Sequence, residues 1–295
     1  MLSRFDYFRP QVLEDALTFL QENTNTKILA GGTDLMVMLR RNAVMAEHIL
    51  DIKSIPETKR LEYTPGRGLY IGASITVNEV AQADFIQQKY IALVQGANSL
   101  ASYQLRNRAT LAGNICNASP GADLAAPLLV YEAMVHIASS RGTRQVACEE
   151  FFTGVKKTVL QEDEMVIGIS LPDVADTGDC SIFLKQARIK GHDLGIAAVA
   201  IRRTSDNGYR IAMTAVAPTP IRLKALEAML TAQPLTAELA GQAGSEAGKL
   251  INPISDVRAS AQYRLHISGI LVKRALTELL VMGRNENVPS TSGKR

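Results

Sequence analysis

The stretch Gln104-Leu-Arg-Asn-Arg-Ala-Thr-Leu-Ala-Gly-Asn-Ile-Cys-Asn-Ala-Ser-Pro-Gly-Ala-Asp-Leu-Ala-Ala-Pro127 gathers small residues, hydroxyls, amides and one carboxylate into a single run. A segment that only filled a core would be rich in Leu, Ile and Val instead. Thr110, Asn114, Asn117 and Ser119 offer hydrogen bonds to phosphate or polyol oxygens. Gly113 lets the backbone lie against such a ligand, and Asp123 can accept from a hydroxyl. A structural reading stands beside this one, with Asp123 in the first turn of a helix over Leu124–Met134.

Upstream, Ile28-Leu-Ala-Gly-Gly-Thr-Asp-Leu35 leaves the short apolar run Lys27–Ala30 through two glycines and enters a helix capped by Thr33 or Asp34. Consecutive glycines allow positive φ and close approach, and the free N–H groups of a helix start suit a pyrophosphate. A tight structural turn is the alternative. The chain contains neither a P-loop nor Gly-x-Gly-x-x-Gly, which argues against a nucleotide kinase, an ATPase or a Rossmann domain.

Around these segments the pattern reads as α+β. Leu13, Ala16, Leu17 and Leu20 recur at helical spacing, and Ile49–Ile52 reads as a strand, so the first fifty or so residues read as βαβ-like. Pro65-Gly66-Arg67-Gly68 joins one hairpin and Ser140-Arg141-Gly142 another. Glu164–Leu171 is a strand stopped by Pro172, and the polar run Asp173–Asp179 is the best domain boundary. Beyond it lie strands over Ser181–Ala187, Ile196–Arg202 and Tyr209–Val216. Helices follow over Leu223–Thr231, Ala237–Leu250 and Ala259–Met282, giving a small antiparallel sheet with helices on one side.

Composition narrows the function. The 295 residues are 46% hydrophobic and 21% charged, so the chain can bury a core without disulfides or metal. A net charge of +3 does not point to nucleic acid or an anionic membrane. Ala122–Ala138 contains Asp123, Pro127, Glu132 and His136 and cannot span a bilayer, and Met1–Pro10 lacks a signal-like apolar run. The cytoplasm is the expected address. Cys116, Cys148 and Cys180 are too few and too far apart for a [2Fe–2S] cluster and read as small packed thiols. The four histidines show no metal-ligand spacing, and no triad or carboxylate pair supplies a catalytic group, so neither metal nor catalytic residues are assigned.

Taken together, the two segments resemble the FAD-binding signatures of the flavoprotein (medium) subunit of molybdenum hydroxylases, the family of the xanthine dehydrogenase FAD subunit and the aerobic carbon monoxide dehydrogenase medium subunit. The resemblance rests on Ala30–Leu35, Gln104–Asn114 with Ala118–Asp123, and Phe183–Ala187. It continues through Ala217–Arg222, Ser260–Arg264 and Lys273–Ala275. It implies a vanillyl-alcohol-oxidase/MurB-type FAD-binding region of two α/β subdomains, followed by a smaller antiparallel sheet domain with helices. The implied division is a PCMH-type FAD domain over 1–175, with subdomains of about 1–55 and 56–175. A CO dehydrogenase flavoprotein C-terminal-type domain follows over 176–284, then a disordered tail over 285–295.

On that resemblance, Ile28, Leu29, Ala30, Gly31, Gly32, Thr33, Asp34 and Leu35 wrap the FAD pyrophosphate. Thr110, Leu111, Ala112, Gly113 and Asn114 bind the phosphates and ribityl chain. Asp123 holds a polar group of the cofactor, Leu100 and Val166 make apolar contacts, and Lys185 reaches the flavin from the second domain, where its charge favours the reduced, anionic ring. Arg188–Leu194 reads as a loop over the ring edge that admits or refuses NAD, or as a plain surface loop. Arg106 and Arg108 add charge near the diphosphate or form surface ion pairs. Two departures stand out. Ala112 replaces the first glycine of the usual Gly-Gly-Asn and requires negative φ there, and Tyr103 stands where proline is common.

The family implies that substrate oxidation takes place on a large molybdopterin subunit. Electrons then pass through [2Fe–2S] clusters on a small subunit to FAD and on to an acceptor such as NAD or oxygen. A stand-alone FAD-dependent reductase of the MurB type would carry a Gly-Gly-Gly-Ser-Asn-like first loop and a catalytic Ser and Glu near the C-terminus, and neither is present. An FAD-free scaffold subunit is the third reading.

Overall fold

The computed structural model describes residues 4–189 and 193–286. It opens on three short strands, β1 (Asp6–Phe8), β2 (Thr26–Leu29) and β3 (His48–Asp51), paired in parallel in the order β1-β3-β2. Helices α1 (Leu13–Glu22) and α2 (Leu35–Arg40) make the crossings. The expected βαβ start is therefore present, with β1 added. Three residues with mostly exposed side chains give β1 no periodicity to read.

Strands β4 (Leu61–Thr64) and β5 (Gly68–Gly72) form the first hairpin, turning through Gly66 and Gly68 at φ of 76° and 94°. Six short helices follow: α3 (Val77–Gln82), α4 (Asp84–Lys89), α5 (Ile91–Ser99), α6 (Tyr103–Arg106), α7 (Leu111–Cys116) and α8 (Ala125–Val130). The chain then runs through β6 (Met134–Ser139), β7 (Gly142–Ala147), α9 (Cys148–Phe151), the small β8 (Phe152–Gly154) and β9 (Lys157–Thr158), and β10 (Met165–Leu171). Strands β4, β5, β10, β6 and β7 build one antiparallel sheet in that order.

The helix expected over Leu124–Met134 ends at Val130. Glu132 turns left-handed at φ 53°, and Ala133 donates back to the Leu128 carbonyl at 3.0 Å. That geometry closes the helix and frees Met134 to start β6. Asp123 does not cap α8: the cap position is Leu124, which makes no side-chain cap bond.

The polar run after β10 is tied down rather than loose. Asp173 accepts from the Tyr63 hydroxyl and the Gly66 amide, both at 2.7 Å, and Lys89 donates to the Val174 carbonyl at 3.0 Å while pairing with Asp176. Beyond it, β11 (Cys180–Gln186), β12 (Ala197–Arg203), β13 (Tyr209–Thr214) and β14 (Ile221–Arg222) form an antiparallel sheet in sequence order. Helices α10 (Lys224–Thr231), α11 (Ala237–Ala247) and α12 (Ala261–Glu286) cover one face. The remainder of the expected tail, 287–295, lies outside the described residues.

Both faces of this second sheet are buried. Val199, Ile201, Ile211 and Met213 join the apolar cluster under α10–α12, while Ala198, Ala200, Ala212 and Phe183 join the cluster of the first part. Large residues thus face the sheet's own helices and alanines face α5 and α8, which lets those helices approach closely. Buried polar contacts fix the seam. Gln95 Oε1 accepts from the Phe183 amide at 2.6 Å, and the Tyr131 hydroxyl meets Ser181 Oγ at 2.6 Å.

Helices α11 and α12 cross where neither carries a side chain, since a Cβ on Gly269 would lie 2.5 Å from the Gly244 carbonyl oxygen. Gly269→Val is expected to destabilise the protein by about 3 kcal/mol, the upper range for overpacking. Denaturant unfolding checks this, and an unchanged midpoint would contradict the observed crossing.

Candidate functional site

The two glycine-containing segments meet. A Cβ on Gly31 would lie 2.1 Å from the Arg108 carbonyl oxygen and 2.9 Å from Ala109 Cα, so backbone lies directly on backbone. Gly32, at φ 75°, then turns the chain toward α2. The strand exit is pinned from behind: Lys53 Nζ donates to the Ala30 carbonyl at 3.0 Å and pairs with Asp51 at 2.8 Å. Asp51 also takes the Tyr7 hydroxyl. Burial pushes the Asp51 carboxyl up, but the Lys53 and Tyr7 bonds outweigh it and hold it below the ordinary range.

The second segment is clamped from its other side by residues 75–77. The Val77 amide donates to the Ala109 carbonyl at 2.8 Å, and Thr76 and Thr110 form a β-bridge. Thr110 caps α7, its Oγ1 accepting from the Gly113 amide at 2.9 Å. Ala112 lies inside α7, buried and outside the left-handed region, so the required negative φ is met. Tyr103 is the first residue of α6 after the Ser102 cap, the position where proline is favoured, which accounts for that departure. Arg106 makes no ion pair among the described residues. Its guanidinium donates to the carbonyls of Asn98, Leu100 and Ala101. Arg108 is exposed.

Asp123 and Lys185 pair at 2.7 Å across the two parts of the chain, both side chains being less than a tenth exposed. Lys185 also donates to the Ser99 carbonyl at 3.2 Å, which brings Leu100, one residue on, to the same place. Burial pushes the Asp123 carboxyl up to about 6 despite the attraction of Lys185. Its second oxygen, Oδ1, is buried without a hydrogen-bond partner, and so is Asn114 Oδ1. Unmatched buried acceptors are costly unless a ligand donates to them. Together with the bare cradle at Gly31 they fit a polyol-bearing dinucleotide.

The structure thus brings Gly31 onto Arg108–Ala109, just before Thr110–Asn114, and joins Asp123 to Lys185 beside Ser99 and Leu100, while Val166 lies on β10, against which α7 packs. Ile28, Leu29, Thr33 and Leu35 are half-buried along the first segment, and Asp34 is exposed without a capping bond. Arg188 and Asp193 pair within the loop read as a ring-edge cover, while residues 190–192 lie outside the described residues. Cys148 and Cys180 are buried and Cys116 half-buried, and burial pushes the Cys116 and Cys148 thiols up to about 12.

Sequence reading missed Lys53 and Asp51, which anchor the first segment, and Lys156, whose Nζ reaches Asn117 Oδ1 at 2.9 Å. It also missed Ala101, Ala118 and Ala215, held left-handed at φ 45°, 44° and 63°. Alanine in that region is strained, and such strain gathers at functional sites. No local signal marks the Lys53 and Lys156 contacts, because Ala30 and Asn117 lie 23 and 39 residues away in the chain.

Comparison with known proteins gives the family. The FAD binding domain in molybdopterin dehydrogenase matches residues 3–174, and the CO dehydrogenase flavoprotein C-terminal domain matches residues 182–279. The chain is 33% identical over 276 residues to a xanthine dehydrogenase FAD-binding subunit of Escherichia coli O157:H7, covering 92% of this chain and 94% of the relative. It is 32% identical over 277 residues to the carbon monoxide dehydrogenase medium chain of Hydrogenophaga pseudoflava, covering 92% and 96%. The structure of carbon monoxide dehydrogenase from that organism, lacking the Mo-pyranopterin moiety, superposes with a TM-score of 0.90 at 31% identity, covering 95% and 99%. No helix among the described residues is long and apolar enough to cross a membrane. Its two matched domains, its near-complete overlap with these relatives and its shared fold show that the chain belongs to the FAD-binding medium subunits of the molybdenum hydroxylase family.

Proposed function

We propose that this chain holds one FAD along the seam and serves as the electron-transfer subunit of a heteromeric oxidoreductase. The observation that carries this is the backbone contact of Gly31 with Arg108–Ala109, together with two unmatched buried acceptors in the predicted binding residues, Asn114 Oδ1 and Asp123 Oδ1. Residues Ile28–Leu35 and Thr110–Asn114 would bind the pyrophosphate and ribityl chain, and Asp123 a cofactor hydroxyl. Leu100 and Val166 would supply apolar contact. Lys185 spends its charge on Asp123 and Ser99, so it acts toward the ring as one end of a neutral pair rather than as a free cation.

Bound FAD would supply two-electron and one-electron redox chemistry, which no side chain here provides. We infer that electrons reach it from [2Fe–2S] clusters on a small partner subunit, released by oxidation of a heterocycle or aldehyde on a large molybdopterin subunit. They would leave to NAD or oxygen. Support comes from relatives described as a medium chain and as an FAD-binding subunit. The division at 175/176, with subdomains of about 1–55 and 56–175, belongs to the same reading, and the part after 175/176 has support in an apolar cluster of its own under α10–α12. A cytoplasmic address is part of it as well.

The direct test is purification of the native complex. One flavin per copy of this chain, with iron and molybdenum on co-purifying subunits, is the expected result. A complex without flavin would favour the scaffold reading, and turnover by the isolated chain the MurB-type one.

Gly31→Val is expected to weaken FAD binding by at least about tenfold, or about 1.4 kcal/mol, because the new side chain must push the two segments apart. Flavin fluorescence titration checks it, and unchanged affinity would contradict the cradle. Asp123 gives a pH signature. Its folded-state pKa of about 6 lies above the ordinary 3.8, so the apo chain loses stability from this group as pH rises between those values. FAD affinity should move the other way, rising with pH through about 6 as the carboxylate acceptor forms. Asp123→Asn should flatten both dependences, as read by thermal melts and titrations from pH 4.5 to 8.

A further inference from the structure

Arg264 lies near the start of α12, outside the FAD segments, yet its side chain is buried. Its Nη1 donates to the carbonyls of Ile196 and, at 3.0 Å, Ala215, and its Nη2 donates to Asp256 Oδ1 at 2.8 Å. Both carbonyls belong to the segments that close the seam from the second sheet. Gly195, just before Ile196, faces the ion pair so closely that a Cβ there would sit 3.6 Å from Lys185 Cε and 3.8 Å from Asp123 Oδ1. Ala215, held left-handed, donates its amide to the Pro120 carbonyl at 2.6 Å, within the Ala118–Asp123 stretch.

Asp256 holds the guanidinium from behind. Burial pushes its carboxyl up, but the Arg258 and Ala259 amides and Arg264 itself outweigh this and bring it down to about 2. It stays ionised across neutral pH. A buried guanidinium is an expensive way to dock a helix whose Leu271, Val272, Ala275, Leu276 and Leu279 already pack in the core. What a flat, forked donor does that an apolar side chain cannot is fix two carbonyls at one spacing.

We propose that Arg264, backed by Asp256, is a positioning residue for the FAD site. It sets where Gly195 and Ala215 lie over Asp123, Lys185 and Pro120, and so sets the shape and polarity of the cofactor cradle. This rests on the FAD reading above and adds to it a residue remote from the binding segments.

The test uses the full chain and its variants Arg264→Met, Arg264→Lys and Asp256→Asn, with Leu276→Ala as a control for loss of helix packing alone. FAD affinity, the visible circular dichroism of the bound flavin and the apo melting temperature are measured for each. Arg264→Met and Asp256→Asn should raise the FAD Kd about tenfold or more and alter the dichroism, and Arg264→Lys should restore only part. Leu276→Ala should lower the melting temperature at least as much while leaving Kd within about twofold. Should Arg264→Met fail to fold, Asp256→Asn decides, since it keeps the arginine in the chain and removes only the charge that holds its guanidinium. Wild-type Kd and dichroism in the folded variants, or an equal Kd loss in Leu276→Ala, would overturn the proposal while the FAD reading stood. Failure of the wild-type chain to bind FAD would overturn both.

Discussion

Position 31 cannot carry a side chain. The carbonyl of Arg108 occupies the space a Cβ would need, and from that contact the rest of the site follows. Two segments some eighty residues apart in sequence share one seam only because their backbones touch. The supports on either side serve the same contact. Lys53 and Asp51 hold the first segment by its Ala30 carbonyl, and residues 75–77 hold the second by Ala109 and Thr110. The cradle is therefore built mainly from main-chain atoms, with polar side chains placed behind it.

The second sheet completes the site as well as adding bulk. Its alanine face lets α5 and α8 come close, and that approach brings Lys185 within bonding distance of Asp123 and Ser99. The same seam carries the Gln95–Phe183 and Tyr131–Ser181 bonds, deep enough that solvent screens them little. Asp123 Oδ1, left without a partner, marks a place where packing alone does not satisfy the chain. Asp179 and Glu227 give both carboxylate oxygens to arginines, whereas Asp123 gives only Oδ2 to Lys185, and its open acceptor suits a ligand.

Much of this was legible in the sequence, and the reasons are physical. Two adjacent glycines, or a run of Thr, Ala, Gly and Asn, are required by backbone geometry and ligand contact, which restrict residue type locally. The turn residues Ser140-Arg141-Gly142 likewise announce the strand Met134–Ser139 that ends there. Helices of four to nine residues, α3 through α6 among them, do not, because one or two turns give no measurable period. The choice between Asp123 as a helix cap and Asp123 as an ion-pair partner was beyond local reading, since Lys185 lies sixty-two residues away. Arg264 was visible only as part of a motif; its two carbonyl partners come together through the sheet and leave no local trace.

A crystal structure of the protein with FAD bound would probe the central claim most directly. The account predicts the pyrophosphate between residues 30–35 and 110–114, with a cofactor hydroxyl donating to Asp123 Oδ1. A dinucleotide lodged elsewhere, or segments separated at Gly31 and Arg108 in the loaded state, would contradict it.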